Sequence, residues 1–340
     1  GYPLFDDYET ALAETKPDAV SINTWPNTHA EYALRAFDAG CHVFMEKPLA
    51  VDAPGYRKVV EVGKKATDKK LNVVVGLQSR YELGLNEMVE KIHAGEIGDI
   101  LSMDVYYNVG KATVYPRKPN QTELEYQIRN WYYYTWLSGD HICEQHVHNL
   151  DVANWVVGSH PIRAQGMGGR EVRNEKINGQ IFDHHFVEFE YANGVRMWSQ
   201  SRQIPNCWRS VTEHVTGTLG EADFNAREFG ITGKNEFTKR LRKGENGHQL
   251  EHFPLFDAIR NDTPYNEAEH GATATMTAIL GRMSNYSGQP VTWEKAMESD
   301  QKLVPDDLVD FNSEPPLKPN ADGYYPVAVP GVTKPYEIWY

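Results

Sequence analysis

The sequence predicts an α/β protein in which part of a doubly wound parallel sheet is followed by an α+β region with a mostly antiparallel open sheet. Two observations carry this prediction. Over the first hundred residues helical and β-rich stretches alternate, whereas after Asp99 the pattern of the β-rich stretches is typical of an antiparallel sheet. Strands separated by helices pair in parallel through right-handed crossovers, so the two regions need different sheets.

In the first region the sequence predicts a helix followed by a strand, repeated three times. Its strands are apolar on both faces, which indicates a sheet covered by helices on each side. The helices are predicted near residues 7–14, 28–38 and 55–66, and the strands at 19–23, 42–45 and 72–76.

In the second region the sequence predicts five strands, followed by a helix. An Ala-Asn-Gly turn at 192–194 joins two of the strands as a hairpin, because Asn-Gly favours the tight turns of hairpins. The strands are predicted at residues 100–108, 162–167, 185–191, 195–203 and 210–216, and the helix at 266–287.

The pattern divides the chain into two domains and a tail. Residues 1–98 are predicted to form the domain with the parallel sheet, 99–314 an α+β domain, and 315–340 a proline-rich extended tail. The tail has no helical period, so we expect it to wrap the body or a neighbouring subunit.

Composition excludes several classes of protein. The 340 residues are 40% hydrophobic and 24% charged, which is typical of a globular chain large enough for two domains. Thirty-four Lys and Arg face 47 Asp and Glu, a net charge of −13, which disfavours nucleic acid as a partner. The apolar runs are far shorter than the roughly 20 residues that span a bilayer, so no membrane partner is expected.

Cysteine and histidine spacing argues against a disulfide framework and against a metal. Cys41, Cys143 and Cys207 are odd in number and far apart. Glu144 and the nearby histidines 141, 146 and 148 could suggest a zinc site, but His146 is expected to face away and no convincing further ligand follows. The sequence therefore predicts no metal. It leaves the cellular compartment open.

A phosphate-binding glycine turn is absent from positions 1–100. The glycines at 166, 168 and 169 have the wrong spacing, and a turn after a strand is the better interpretation. An apolar strand at 19–23 would be costly as an unpaired sheet edge. We therefore expect a segment of roughly 60 residues, about the size of two βαβ half-units, to precede Gly1.

Two motifs resemble the Gfo/Idh/MocA family of NAD(P)-dependent oxidoreductases. They are Asn23-Thr-Trp-Pro-Asn-Thr-His29 and Ala39-Gly-Cys-His-Val-Phe-Met-Glu-Lys-Pro48, which match the family's T-P-x-x-x-H loop and its A-G-K-H-V-x-x-E-K-P segment. The resemblance implies a Rossmann sheet whose strand ends hold NAD or NADP, with NAD favoured. The cofactor-binding residues implied are Asn23, Thr24, Trp25, Pro26, Asn27, His29, Glu46 and Lys47.

The resemblance extends over most of the chain and implies a catalytic set. It continues through Gly76–Tyr81 and His93–Gly98 to Gly139–Asp151, where the family helix reads D-x-x-x-H-x-x-D. Glu144, one methylene longer, replaces the first Asp. His148 and Asp151 match the remainder. By resemblance Lys47 points between nicotinamide and substrate, where it hydrogen-bonds the reacting oxygen or shares the proton relay.

Spacing gives the carboxylates and the histidine a chemical interpretation. Glu144, His148 and Asp151 are four and three residues apart, so they are predicted to share one helix face. A carboxylate one turn away can orient the imidazole, fix its tautomer and raise its pKa, which suits a base that takes a hydroxyl proton. We therefore predict His148 as base, Lys47 as positioning acid and Glu144 as orienting carboxylate.

An aromatic run at 130–136 precedes the catalytic motif. Such rings can be core, but they also suit stacking on the C–H faces of sugars. Besides Glu144 and His148, the predicted substrate ligands are Arg80, Tyr81, Tyr126, Arg129 and Trp131.

Three functions remain open at this point. The first is a dehydrogenase that acts on a secondary alcohol of a sugar, cyclitol or glycoside. The second is an NAD-dependent glycosidase that oxidises at C3, eliminates, hydrates and reduces again. The third is a non-catalytic binding protein of the same fold. The resemblance also implies a homo-oligomer formed through the open sheet, and the residue that decides NAD against NADP would lie upstream of Gly1.

Overall fold

The computed structural model describes residues 3–225, 228–240, 246–306, 308 and 310–338. Within these ranges the strands form a three-stranded parallel sheet and a nine-stranded mixed sheet. The predicted fold class is confirmed.

The parallel sheet has the order β1-β2-β3, with β1 at Ala19–Ile22, β2 at His42–Met45 and β3 at Val73–Val75. Each strand follows a helix: α1 at Tyr8–Thr15, α2 at His29–Asp38 and α3 at Ala53–Lys69. Within the described residues β1 pairs with β2 alone. That a further segment pairs with β1 stays a prediction.

Apolar residues at helical spacing attach these helices to the sheet. In α2, Ala33, Ala36 and Phe37 are fully buried, and in α3 Val59 and Val62 are too. The three and four residue spacings place each set on one face of its helix. The Asp52 side chain caps α3 by accepting a hydrogen bond from the Gly55 amide at 2.7 Å, which explains why this helix begins earlier than predicted.

The large sheet has the order β11-β10-β9-β8-β4-β7-β6-β5-β12. The β4–β7 pair is parallel and the other pairs are antiparallel. The five predicted strands are β4 at Ile100–Val109, β5 at Pro161–Gly169, β6 at His184–Tyr191, β7 at Arg196–Gln203 and β8 at Ser210–Gly217. Four more strands extend the sheet: β9 at Gly220–Asn225, β10 at Glu228–Gly233, β11 at Phe237–Arg240 and β12 at Val291–Thr292.

Helices cover one face of this sheet. The long helix α11, at Ala268–Ser287, packs on β5 and β6 and also contacts α3 and β3 of the parallel layer. The opposite face carries half-exposed side chains such as Tyr106, Trp198 and His214, and a homo-oligomer through it stays a prediction. The remaining helices are α4 at Leu83–His93, α5 at Glu123–Arg129, α6 at Thr135–Ser138, α7 at His141–Glu144, α8 at Val147–Val157, α9 at Gly247–Leu250, α10 at Phe253–Asn261 and α12 at Trp293–Met297.

The glycine cluster at 166–169 lies inside β5, so its interpretation as a turn was wrong. A Cβ on Gly166 would overlap the Asn285 side chain and the Phe186 carbonyl oxygen. Glycine is needed there because α11 and β6 approach the β5 backbone closely.

The tail runs over the body of the molecule. Leu317 and Tyr325 are buried beside Tyr134 and Trp136, so the tail contributes to the core. Residues 339 and 340 of the predicted tail lie outside the described residues. The predicted domain limits stay predictions. Among the described helices, none is both long and apolar enough to cross a membrane.

Candidate active site

The carboxyl ends of the three parallel strands bring the first motif residues to one edge. Asn23, Thr24 and Trp25 follow β1 as an exposed loop, and the buried Pro26 begins a single 3-10 turn. Glu46 and Lys47 follow β2, where the Glu46 carboxylate accepts a hydrogen bond from the Lys47 amide at 3.2 Å. Ligands of open parallel sheets bind at this edge.

The buried His29 lies between the two loops at this edge. Its ring nitrogens each lie 2.9 Å from a carbonyl oxygen, of Pro48 for Nδ1 and of Thr24 for Nε2. Burial lowers the pKa of His29 to about 4. His29 therefore joins the two motif loops, and both ring nitrogens face protein carbonyl oxygens. Its role in cofactor binding stays a prediction.

Unsatisfied polar atoms mark the same edge as a place for a polar ligand. Asn27 Oδ1 and Gln78 Oε1 are buried without a hydrogen-bond partner among the described residues. Buried polar groups are normally paired, so these two acceptors are suited to the donors of a bound molecule. Trp25 is 37% exposed in the adjoining loop and offers a flat face. These groups fit the carboxamide and hydroxyl groups of a nicotinamide dinucleotide.

Lys47 is held by the second motif. Its Nζ donates hydrogen bonds to Glu144 Oε1 at 2.9 Å and to the Glu144 carbonyl oxygen at 2.6 Å. Both side chains are largely buried, so each charge depends on the other for compensation. The pair ties the end of β2 to α7.

The prediction that Glu144, His148 and Asp151 share one helix face is wrong. Helix α7 ends at Glu144 and α8 begins at Val147, so the four-residue spacing spans a break. The amide of His146 donates to the carbonyl of His141, which closes the turn at this break. Glu144 pairs with Lys47 instead of orienting His148.

His148 is a neutral imidazole in this site. Burial and, next in size, the positive charge of Lys47 hold its pKa well below the usual value. This is the opposite of the predicted rise, because the carboxylate expected to stabilise the cation belongs to Lys47. The Nδ1 atom of His148 is buried and has no hydrogen-bond partner among the described residues.

Lys47 and His148 line one cavity of about 360 Å³ between the two sheets. Its size is in the range of small-molecule sites. The other lining residues are Gln78, Ser79, Glu82, Leu85, Tyr107, Gln145, Asn149, Val211, Glu213, Phe224, Asn225, Phe229 and His248.

Two carboxyl groups in the cavity wall bind protons unusually tightly. Burial raises the pKa of Glu82 to about 7 and that of Glu213 to about 8. Glu213 accepts a hydrogen bond from the Asn149 side chain at 2.6 Å. Near neutral pH the wall is therefore less acidic than its composition suggests.

Replacing Glu213 with glutamine is expected to flatten the pH dependence of stability. A pKa raised in the folded state gives stability that is complete below about pH 4.5 and lost as pH rises through about 8. Between pH 5 and 8 the free energy of unfolding of the variant, relative to that of the wild type, should rise by on the order of 1 kcal/mol or more. Urea unfolding across that range measures the difference. Glu221→Gln, on the exposed side of β9, is the control, and parallel curves for Glu213→Gln and the wild type would contradict the assignment.

Two predicted substrate residues are engaged elsewhere. Arg80 donates to both oxygens of Asp151, at 2.7 and 2.8 Å, and stacks over Trp155. Tyr81 donates its hydroxyl hydrogen to Glu267. Neither side chain lines the cavity. Asp151 is therefore a structural partner of Arg80.

Replacing Asp151 with asparagine is expected to lower the free energy of unfolding by about 3 kcal/mol and leave turnover unchanged. The loss follows because Arg80 would keep a largely buried charge without its carboxylate. Chemical unfolding and steady-state kinetics measure the two effects. Asp38→Asn, which breaks a solvent-exposed pair with Lys65, should cost far less. A loss of turnover without loss of stability would contradict the structural role.

The other three predicted substrate residues also lie away from the cavity lining. Tyr126 is buried in the apolar cluster that contains Tyr134 and Trp136, where Arg117 covers its ring. Arg129 stacks over Tyr115, and Trp131 packs at the edge of the same cluster. Tyr133, Tyr134 and Trp136 of the aromatic run thus build core, which was the alternative interpretation, whereas Tyr132 is only partly buried.

Several residues of the cavity were missed by sequence reasoning. Gln145 lies directly after Glu144, and its amide donates to Glu144 Oε2 at 2.5 Å. Tyr107 donates in turn to Gln145 Oε1 at 2.5 Å. Only Glu213 had a usable signal, because it occupies an inward position of an alternating strand where a charged residue is unusual.

A histidine and carboxylate cluster lies outside the cavity lining. Asp140, His141 and His185 offer ligand atoms within 4.8 Å of one another, and all three are buried. Both Asp140 oxygens already accept hydrogen bonds, from the His141 amide, the Phe182 amide and the Tyr286 hydroxyl. These contacts suit a hydrogen-bonded structural cluster. The expectation of no metal stays a prediction.

A Rossmann-like parallel sheet joined to a large mixed sheet defines the class of protein. The family model described as an oxidoreductase family with an NAD-binding Rossmann fold matches residues 1–77. The GFO/IDH/MocA C-terminal domain matches residues 85–222. The chain belongs to the Gfo/Idh/MocA family, as the motifs predicted.

Among curated relatives, inositol 2-dehydrogenases share segments of this chain. Inositol 2-dehydrogenase 3 of Saccharopolyspora erythraea is 32% identical over 180 residues, 53% of this chain and 46% of that protein. Inositol 2-dehydrogenase of Gluconacetobacter diazotrophicus is 30% identical over 223 residues, 65% of this chain and 58% of that protein. The chain spans about half the length of the curated relatives it matches.

Solved structures share the fold. Levoglucosan dehydrogenase in complex with NADH and levoglucosan gives a TM-score of 0.70 at 18% identity, covering 85% of this chain and 83% of that chain. An oxidoreductase from Thermotoga maritima gives 0.69 at 18% identity, covering 87% and 85%.

Proposed function

We propose that this protein is an NAD-dependent oxidoreductase that transfers a hydride to or from a secondary alcohol of a sugar or cyclitol. The observation that carries the proposal is the meeting of Lys47, from the carboxyl end of β2, and His148, from α8, in one cavity. The names of the relatives, inositol 2-dehydrogenases and levoglucosan dehydrogenase, support this substrate class.

NAD, when bound, supplies the hydride acceptor or donor. The residues that would hold it are the loop Asn23–Asn27 and Glu46, with Gln78 at the cavity side. Asn27 and Gln78 offer unsatisfied acceptor oxygens there. His29 keeps the first loop against the Lys47–Pro48 segment.

Lys47 is the group that contacts the reacting oxygen. An ammonium has three N–H donors, and Glu144 accepts from Nζ at two atoms. One N–H is left for the substrate oxygen in the cavity. A cation at this oxygen stabilises negative charge that develops as a hydroxyl loses its proton. Glu144 positions Lys47 and compensates its charge.

His148 is the general base. A neutral imidazole can accept a proton, and its lowered pKa keeps it neutral at physiological pH. The hydroxyl proton of the substrate passes to His148 while Lys47 holds the oxygen. In the reverse direction the protonated imidazole returns the proton.

The test is NADH formation, followed at 340 nm, with a panel of cyclitols, monosaccharides and aryl glycosides. Reduction of NAD matched by one equivalent of ketone product supports the proposal. Release of the aryl group without net NADH would instead indicate the redox glycosidase. Failure of the full-length protein to bind any dinucleotide by calorimetry would indicate a non-catalytic protein.

A further inference from the structure

A second cavity, of about 430 Å³, adjoins the first. The two share Tyr107 and Gln145 in their walls. The second cavity lies where β4, β7 and β8 meet the loop after β4. Its remaining lining residues are Val109, Gly110, Lys111, Ala112, Tyr132, Gln203 and Arg209.

The charged residues described in the wall of this second cavity are positive. Among the residues that the structure describes, the lining contains Lys111 and Arg209 and no carboxylate, in a chain whose net charge is −13. Within the described part of the chain neither cation forms an ion pair with an acidic side chain. Both side chains are exposed at the mouth, so their charge is available to a ligand.

Two successive hydrogen bonds orient a hydroxyl donor in the wall of the second cavity. The buried Arg173 donates to Gln203 Oε1, which fixes the orientation of that amide. The Gln203 amide nitrogen then donates to the Tyr132 hydroxyl oxygen. Because this oxygen is used as an acceptor, the Tyr132 hydroxyl hydrogen is left for the cavity. Tyr132 remains protonated, since burial raises its pKa well above the usual value.

The shared wall is held from the catalytic side. Tyr107 donates to Gln145, Gln145 donates to Glu144, and Glu144 accepts from Lys47. The group that divides the cavities is therefore fixed relative to the ammonium that contacts the reacting oxygen. A substrate that reaches past this wall would have one unit at Lys47 and the next beside Tyr132.

We infer that the substrate has two units and that the second cavity binds an anionic sugar unit, with Lys111 and Arg209 at its negative group and Tyr132 at a neighbouring oxygen. The inference rests on the proposed function for the reacting unit. A carboxylate or a phosphate ester would satisfy the same cations.

The test is binding, measured without turnover, by titrating the protein with glucose, glucuronate and glucose 6-phosphate in low-salt buffer by calorimetry. At least one anionic sugar is expected to bind about tenfold more tightly than glucose, and added salt should reduce the preference. The tighter of the two anions identifies the negative group. Equal affinities, or no measurable binding of either anion, would overturn the inference.

Variants separate these cations from general surface charge. The double variant Lys111→Gln and Arg209→Gln should remove the tenfold preference and leave glucose binding unchanged. Tyr132→Phe should weaken all three sugars several-fold. Arg196→Gln, an exposed cation at the far end of β7, should change nothing. A preference that survives in the double variant overturns the inference. Anion binding without NADH formation would reject only the proposed dehydrogenase.

Discussion

Replacing Lys47 with methionine is expected to lower kcat by about a hundredfold or more, the usual scale for losing acid or base assistance. The reason is that, in the proposed function, its ammonium holds the reacting oxygen, a contact needed most when the hydroxyl loses its proton. The variant should retain much of its substrate affinity, so kcat falls more than KM rises. Steady-state kinetics on the identified sugar or cyclitol measures the change.

The same substitution leaves Glu144 buried without its partner, which by itself lowers stability. A double variant, Lys47→Met with Glu144→Gln, keeps the site neutral and should recover stability but not turnover. Lys65→Met, which removes a surface lysine paired with Asp38, is the matched control and should leave kcat unchanged. Near-native turnover in Lys47→Met would reject the role of Lys47.

Replacing His148 with asparagine is expected to lower kcat by a similar factor of about a hundred, because the substrate hydroxyl then loses the proposed acceptor of its proton. The pH profile gives an independent check. Since the pKa of His148 lies well below the usual value, the wild type should keep its base in the active, neutral form at pH values where an ordinary imidazole is protonated.

The acid limb of kcat/KM should therefore lie below pH 6.5 in the wild type and be lost in His148→Asn. His184→Asn alters a half-exposed histidine paired with Asp183 and serves as the control. An acid limb unchanged by His148→Asn would show that another group accepts the proton.

Local patterns in the sequence were enough to place eight of the twelve strands that the structure describes. The three helices and three strands predicted in the first hundred residues lie where their apolar periods place them, because a period of 3.6 or 2 decides which face of a segment is buried, but α4 was not predicted. The strands β9 to β12 were missed. They are short and continue from neighbouring strands, so their pairing depends on a sheet that already exists.

In the candidate site, too, sequence patterns identified some residues and missed the contacts of others. Lys47 and His148 could be selected from the motifs, and both line the cavity. The partner of Glu144 could not be selected, because the four-residue spacing to His148 assumes an unbroken helix. The break between α7 and α8 turns Glu144 toward Lys47, 97 positions away in sequence.

The sequence by itself determined the family motifs, the alternation of the first three helices and strands, and the two residues proposed to act on the substrate. The tertiary structure alone decided that Glu144 pairs with Lys47, that Asp151 pairs with Arg80, and that Glu213 enters the cavity wall. The physical reason is that side-chain pairing and pKa depend on burial and on charges contributed by distant segments. Such contacts leave no periodic signal along the chain.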